Sequence, residues 1–200
     1  MPFSSCAFLV LDMQNDICHA DGIYAKHGLG APQIEAIVRP ITETILFCRK
    51  MHIPIIATQV TVLQDLTKKP MGLGHLQKLR PFLEKEGLRE GTWGHDLLEG
   101  LPPVDYKIHK WGTSAFYRSE LQHYLRALRV EDLILSGFTT NGVVETVARE
   151  AIGRNYKIIT LTDCVQSYSE SLHQASLSNL GAFGQILTSQ QWQNSFTEGT

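Results

Sequence analysis

Six apolar residues in a row, Cys6–Leu11 (CAFLVL), constrain this chain more than any other feature. The run is too short for an ordinary helix and shows no alternation, so it reads as a strand covered on both faces. It ends in Asp12 and a loop rich in Asn, Asp, His and Gly. Strand-like and helix-like stretches then alternate. Residues 32–51 carry Ile34, Ile37, Val38, Ile41, Ile45, Leu46 and Cys48 at helical spacing, with Pro40 placed to bend or restart the helix. Residues 53–57 (IPIIA), 105–109 (DYKIH), 133–138 (LILSGF), 157–162 (KIITLT) and 185–187 read as further strands. Residues 119–128, 142–154 and 170–183 read as the intervening helices, and Ser189 as the N-cap of a last one. Residues 60–103 have no clear period. Short helical pieces are expected at 73–79 and 95–98, within an excursion long enough to build a lid or pocket wall.

Alternating strands and helices predict a three-layer α/β/α sandwich around a mainly parallel six-stranded sheet, Rossmann-like in kind. The 200 residues suffice for one domain spanning 1–200. A formal net charge of −2 gives no field that would draw in nucleic acid or an acidic membrane, so neither partner is expected. No apolar run approaches the roughly 20 residues of a membrane helix. The chain enters its first strand without the basic and apolar regions of a secretory leader. The four cysteines are scattered and form no C-x-x-C pair. Free thiols in the cytoplasm are the expectation, with neither metal nor cofactor.

In a parallel sheet the ligand crevice lies outside the carboxyl ends of the strands, where strand order reverses. Asp12, the segment after His109 and residues 137–144 all follow strands there. Asp12 reads either as a loop-opening cap or as a partly desolvated carboxylate that needs a cationic partner. Lys110 reads either as a solvated surface lysine or as that partner, ionising Asp12 and holding a substrate anion. In SGFTTNGVVE (136–145), a tight turn leads into a helix whose amides near Gly142 and Val143 are suited to developing negative charge. Thr140 or Asn141 can cap the same helix. The chain has no G-x-S-x-G elbow and no phosphate-binding P-loop, and Gly28–Leu29–Gly30 follows no strand.

Three segments carry a resemblance. LVLDMQNDI (9–17) is similar to a strand-one motif with a D-x-Q-N-D core. Lys110 followed by Ser114–Ala115–Phe116 resembles K-x-x-x-S-A-F. Residues 137–147 resemble G-x-x-T-N-x-C-V-E-x-T. All three belong to the isochorismatase-like hydrolases, the cysteine hydrolase superfamily that includes nicotinamidases, N-carbamoyl amidases and ureidoacrylate amidases. The resemblance implies catalytic Asp12 and Lys110, a small-molecule substrate, and a homodimer or larger homo-oligomer. The family's nucleophilic cysteine falls on Val143, which cannot attack a carbonyl. Isochorismatases also lack that cysteine and hydrolyse a vinyl ether with water as nucleophile. Lys110–Trp111 and Phe116–Tyr117–Arg118–Ser119 resemble that branch, and Gln59 falls near its substrate-binding Gln. Gly112–Thr113, Thr139–Thr140–Asn141 and Val143 depart from it. Gln59, Trp93, Trp111, Phe116, Asn141 and Gly142 are the candidate substrate-binding residues. The metal ligands of nicotinamidases have no counterpart in ATQVTVLQD (57–65).

The expected function is therefore Asp/Lys-dependent hydrolysis of a small molecule without a cysteine nucleophile, of the vinyl-ether kind. One alternative is a catalytically silent relative that binds a small molecule or a protein. The other is an amide or ureide hydrolase using a displaced thiol, Cys18.

Overall fold

The computed structural model describes residues 5–197. The strands are β1 (Cys6–Leu11), β2 (Ile55–Val60), β3 (Leu63–Gln64), β4 (Pro70–Met71), β5 (Tyr106–Lys110), β6 (Asp132–Phe138), β7 (Lys157–Gln166) and β8 (Gln185–Leu187). The helices are α1 (Asn15–Cys18), α2 (Ile23–Lys26), α3 (Glu35–Lys50), α4 (His75–Leu79), α5 (Leu121–Ala127), α6 (Glu145–Ile152), α7 (Glu170–Gly181) and α8 (Ser189–Thr197). Six strands form one sheet in the order β5-β2-β1-β6-β7-β8, and every pairing in it is parallel. The short β3–β4 hairpin is separate and antiparallel.

β1 shows why the sheet must have two covered faces. Its side chains alternate between two cores. Phe8 and Val10 join Ile37, Ile41 and Ile45 of α3 and Trp192 of α8. Ala7, Leu9 and Leu11 join Leu121 and Leu125 of α5 and Val147 and Ala151 of α6. A strand buried on both sides has no polar face, so its sequence is a continuous apolar run. The chain lays β2 and β5 on one side of β1, then crosses to place β6 on the other. Strand order therefore reverses between β1 and β6, where a parallel sheet opens its crevice.

Several element boundaries differ from the sequence reading. β2 starts at Ile55 because Pro54 has no N–H for the ladder, and its carbonyl accepts from Phe8. The strand then runs on through Thr58 and Gln59, both buried and hydrogen-bonded. β5 includes Lys110, while Asp105 precedes it and accepts the Ile55 amide at 2.8 Å. α3 passes through Pro40 without restarting. The hydrogen bond Pro40 cannot make belongs to Ala36, which is exposed to water. β7 extends to Gln166 by a register shift against β6. The helical piece expected at 95–98 is a 3-10 turn at Trp93–His95. Ser189 does not cap α8. Thr188 does, its Oγ1 accepting from Gln191 N while Gln191 Oε1 accepts from Thr188 N.

Candidate active site

The carboxyl ends of β1, β5 and β6 meet at one cavity of about 280 Å³. Asp12, directly after β1, has φ +56, a left-handed conformation that Asp tolerates better than most residues. The Thr58 hydroxyl donates to Asp12 Oδ1 at 2.6 Å. Lys110 Nζ donates to Oδ2 at 2.8 Å. Both side chains are almost fully buried (Lys110 0%, Asp12 7% exposed), which excludes the solvated-lysine reading. Burial pushes the Asp12 carboxyl above the ordinary carboxylate range, against the opposing pull of Lys110 and the Thr58 bond.

Lys110 has three donors and uses them all inside the chain. Besides Asp12, they reach the carbonyls of Gly112 at 2.5 Å and Thr113 at 3.4 Å. The lysine therefore fixes Asp12 and offers no free donor to a substrate anion, unlike the sequence expectation.

The opposite wall comes from the turn after β6. The Phe138–Thr139 peptide is cis, and a π-turn, Thr140–Val144, leads into α6. A Cβ on Gly137 (φ +122) would collide with the Leu11 carbonyl, so only glycine lets β6 lie this close to β1. Phe138, Thr139, Asn141, Gly142 and Val143 line the cavity. The Gly142 N–H donates to the Thr139 carbonyl at 3.2 Å and is thus engaged. Neither Thr140 nor Asn141 caps the helix. Thr140 Oγ1 pairs with His173 Nδ1 at 2.8 Å, and Asn141 Oδ1 accepts from Ser167 at 2.5 Å.

The structure brings Asp12, Lys110, Asn141, Gly142 and Val143 together around this cavity and leaves the other candidates outside it. Gln59 is buried beneath and donates to the His95 carbonyl at 2.6 Å. Trp93 is 41% exposed and donates to Glu99 at 2.5 Å. Trp111 donates to the Arg118 carbonyl at 3.1 Å. Phe116 is core, stacked on Tyr156. Cys18 is buried 4.0 Å from Met13 Sδ and absent from the lining. Burial pushes its thiol strongly up, which leaves little thiolate.

Sequence reasoning missed the rim. Tyr24, Leu76, Leu79, Arg80 and Tyr168 line it, from three separate parts of the chain. For Leu76, Leu79 and Arg80 the advance signal was the length of the 60–103 excursion; Tyr24 and Tyr168 lie outside it and had none. Among the described residues, no group of three His, Cys, Asp or Glu side chains is gathered to hold a metal.

A family model for the isochorismatase domain matches residues 6–191. The chain belongs to the isochorismatase family. It is 28% identical to a nicotinamidase of Arabidopsis thaliana over 182 residues, covering 89% of this chain and 81% of that one. It is 33% identical to a ureidoacrylate amidohydrolase of Methylorubrum extorquens over 188 residues, covering 88% and 75%. Its fold matches a cysteine hydrolase from Pseudomonas syringae with a TM-score of 0.86 at 23% identity, over 98% and 93% of the two chains. An isochorismatase-like hydrolase from Alkaliphilus metalliredigens gives 0.81 at 26%, over 96% and 99%.

Proposed function

We propose that this family member hydrolyses a small molecule, with Asp12 as the proton-transferring group, Lys110 as its fixed partner and no thiol nucleophile. The observation that carries the reading is the buried Asp12–Lys110 pair on the floor of an open cavity that Val143 lines rather than fills. With valine at the place onto which the resemblance carries the cysteine, water is the remaining nucleophile. Asp12 can take the proton of a water attacking an amide or ureide, the substrate classes named for the plant and bacterial relatives.

The resemblance of residues 110–119 to the vinyl-ether branch favours that class. The protonated carboxyl gives its proton to the terminal alkene carbon. Water adds to the adjacent carbon and returns a proton to the Asp12 carboxylate, and the neutral hemiketal collapses to a ketone and an alcohol. The reading includes a single domain, from the chain length, and a cytoplasmic location, from the scattered cysteines, and the resemblance adds a homodimer or larger.

The test is turnover of vinyl ethers, small amides and ureides by wild type beside Asp12→Asn. We expect one class to be hydrolysed and the variant to lose about 10²–10⁴-fold. Equal turnover by the variant would remove Asp12 from the chemistry. Binding without turnover by either protein would favour a silent relative.

A further inference from the structure

Asp12 and Lys110 hold each other on the cavity floor, and Asn141 Oδ1 is taken by Ser167. Thr139 is different. It lines the cavity, is half-buried, and directly precedes the Thr140–Val144 turn in an extended conformation (φ −107, ψ 153 being that of Gln14 at the matching end of β1, ψ 148 its own). A threonine at such a place ordinarily caps the helix, yet its hydroxyl makes no capping bond, and among the described residues it bonds to nothing else. The Thr113 hydroxyl is also unbonded, but belongs to an exposed residue at the cavity mouth. The Thr139 carbonyl accepts from the amides of Gly142 and Val144, both at 3.2 Å, which fixes the main chain. Its side chain lies over Gly142, where an added Cβ would collide with Thr139 Oγ1. A β-branched side chain so confined is stiff at χ1, so the hydroxyl is held in one place. β1 and β6 are paired in parallel with Leu11 opposite Gly137, so Asp12 and Thr139 leave adjacent strands one and two residues beyond the same pair. Val143, onto which the resemblance carries the cysteine, lines the same wall.

We propose that the Thr139 hydroxyl positions the attacking water against Asp12, a task that a directly attacking thiol makes unnecessary. The inference rests on the hydrolase reading above. Thr139 Oγ1 accepts one hydrogen of the water and the Asp12 carboxylate accepts the other, which aims an oxygen lone pair at the substrate carbon. In an amide or ureide, the C–O bond forms as the water proton passes to Asp12. The C–N bond then breaks as Asp12 returns that proton to the leaving nitrogen. In a vinyl ether already protonated by Asp12, the same water adds to the carbon beside the ether oxygen and gives its proton back to Asp12. Thr139 does not itself attack. Among the described residues no base is hydrogen-bonded to its hydroxyl, and an alcohol is a weak nucleophile without one.

Two measurements test this. The first needs no turnover: crystal structures of the full chain and of its near-isosteric Thr139→Val variant. An ordered water bonded to both Thr139 Oγ1 and the Asp12 carboxyl is expected in wild type and absent from the variant. A wild-type cavity without that water, or the same water in both proteins, overturns the proposal. The second is steady-state turnover of the vinyl ether, amide or ureide that wild type hydrolyses; if none is hydrolysed, the crystallographic result decides alone. Thr139→Val should lower kcat about 10²-fold with KM within about threefold, and Thr139→Ser should recover most of the loss. A Val variant as fast as wild type, beside an inactive Asp12→Asn, overturns the proposal and leaves the hydrolase reading standing. Equal losses in the Val and Ser variants assign Thr139 a packing role and overturn it too. An acyl group found on Thr139 by mass spectrometry of quenched reactions makes the hydroxyl the nucleophile, which also overturns it. Asp12→Asn as fast as wild type overturns both the proposal and the reading beneath it.

Discussion

The excursion between β2 and β5 has two halves of opposite character. Residues 81–103 are tied to the loop after β1. Asp16 accepts the amides of Ile23 at 3.2 Å and Leu88 at 2.6 Å. Gln14 holds Val60 and the His95 carbonyl, and Asn15 holds the Trp93 carbonyl and the Glu99 amide. Residues 63–80 bond largely among themselves, as where Asp65 accepts from Thr67 and Lys69. They expose Leu63, Leu66, Met71 and Leu79, and end in Arg80. The contrast divides the D-M-Q-N-D segment by role. Asp12 faces the cavity, while Gln14, Asn15 and Asp16 fasten the floor to half of the excursion. Leu76, Leu79 and Arg80 of the rim hang from the other half.

Four measurements can break or sharpen that division. Lys110→Ala strikes the floor hardest. It strands a buried carboxylate, and we expect a loss of about 3–5 kcal/mol in urea unfolding. A companion Asp12→Asn change should recover part of it. A loss under about 1 kcal/mol would mean that Asp12 takes up a proton or meets water once Lys110 is gone. Asp16→Ala comes next. It orphans two buried amides worth about 1–3 kcal/mol each, and should raise hydrogen exchange across 81–103 but not across 63–80. Equal exchange in both halves would erase the contrast.

The third effect is of pH. Burial holds His95 and His173 below the ordinary histidine value, the former also through repulsion from His109. The unfolded chain takes up protons as pH falls through about 6.5, while the fold resists them. Their contribution to stability is therefore present above that pH and lost below it. Unfolding free energy measured at pH 7.5 and 5.5 should fall, and His173→Gln should flatten the slope. A flat wild-type profile would show that the fold accepts these protons. The smallest effect is Leu66→Ser, expected within about 0.5 kcal/mol of wild type. A larger loss would show that the hairpin is covered.

The sheet was legible because apolar runs announce doubly buried strands, and β1 and β8 fall where the sequence places them. β2 and β7 are longer than their apolar runs. Their buried polar residues, such as Thr58 and Gln59, are stabilised by partners far away in the chain, which hydropathy cannot register. Asp12 and Lys110 stood out because each sits at the end of a strand. Gln59, Trp111 and Phe116 were named by motif proximity, and they, like Trp93, lie outside the cavity lining. Arg80, Tyr24 and Tyr168 carry no common motif. Only the fold of an aperiodic segment brings them together.

Gly137 bears on how such a molecule can change over generations. Main chain meets main chain there, so any larger residue would prise apart the two central strands. The base of the cavity is in that sense frozen. Adaptation to a new substrate is left to α4 and its neighbours, where side chains can be exchanged without disturbing the architecture beneath.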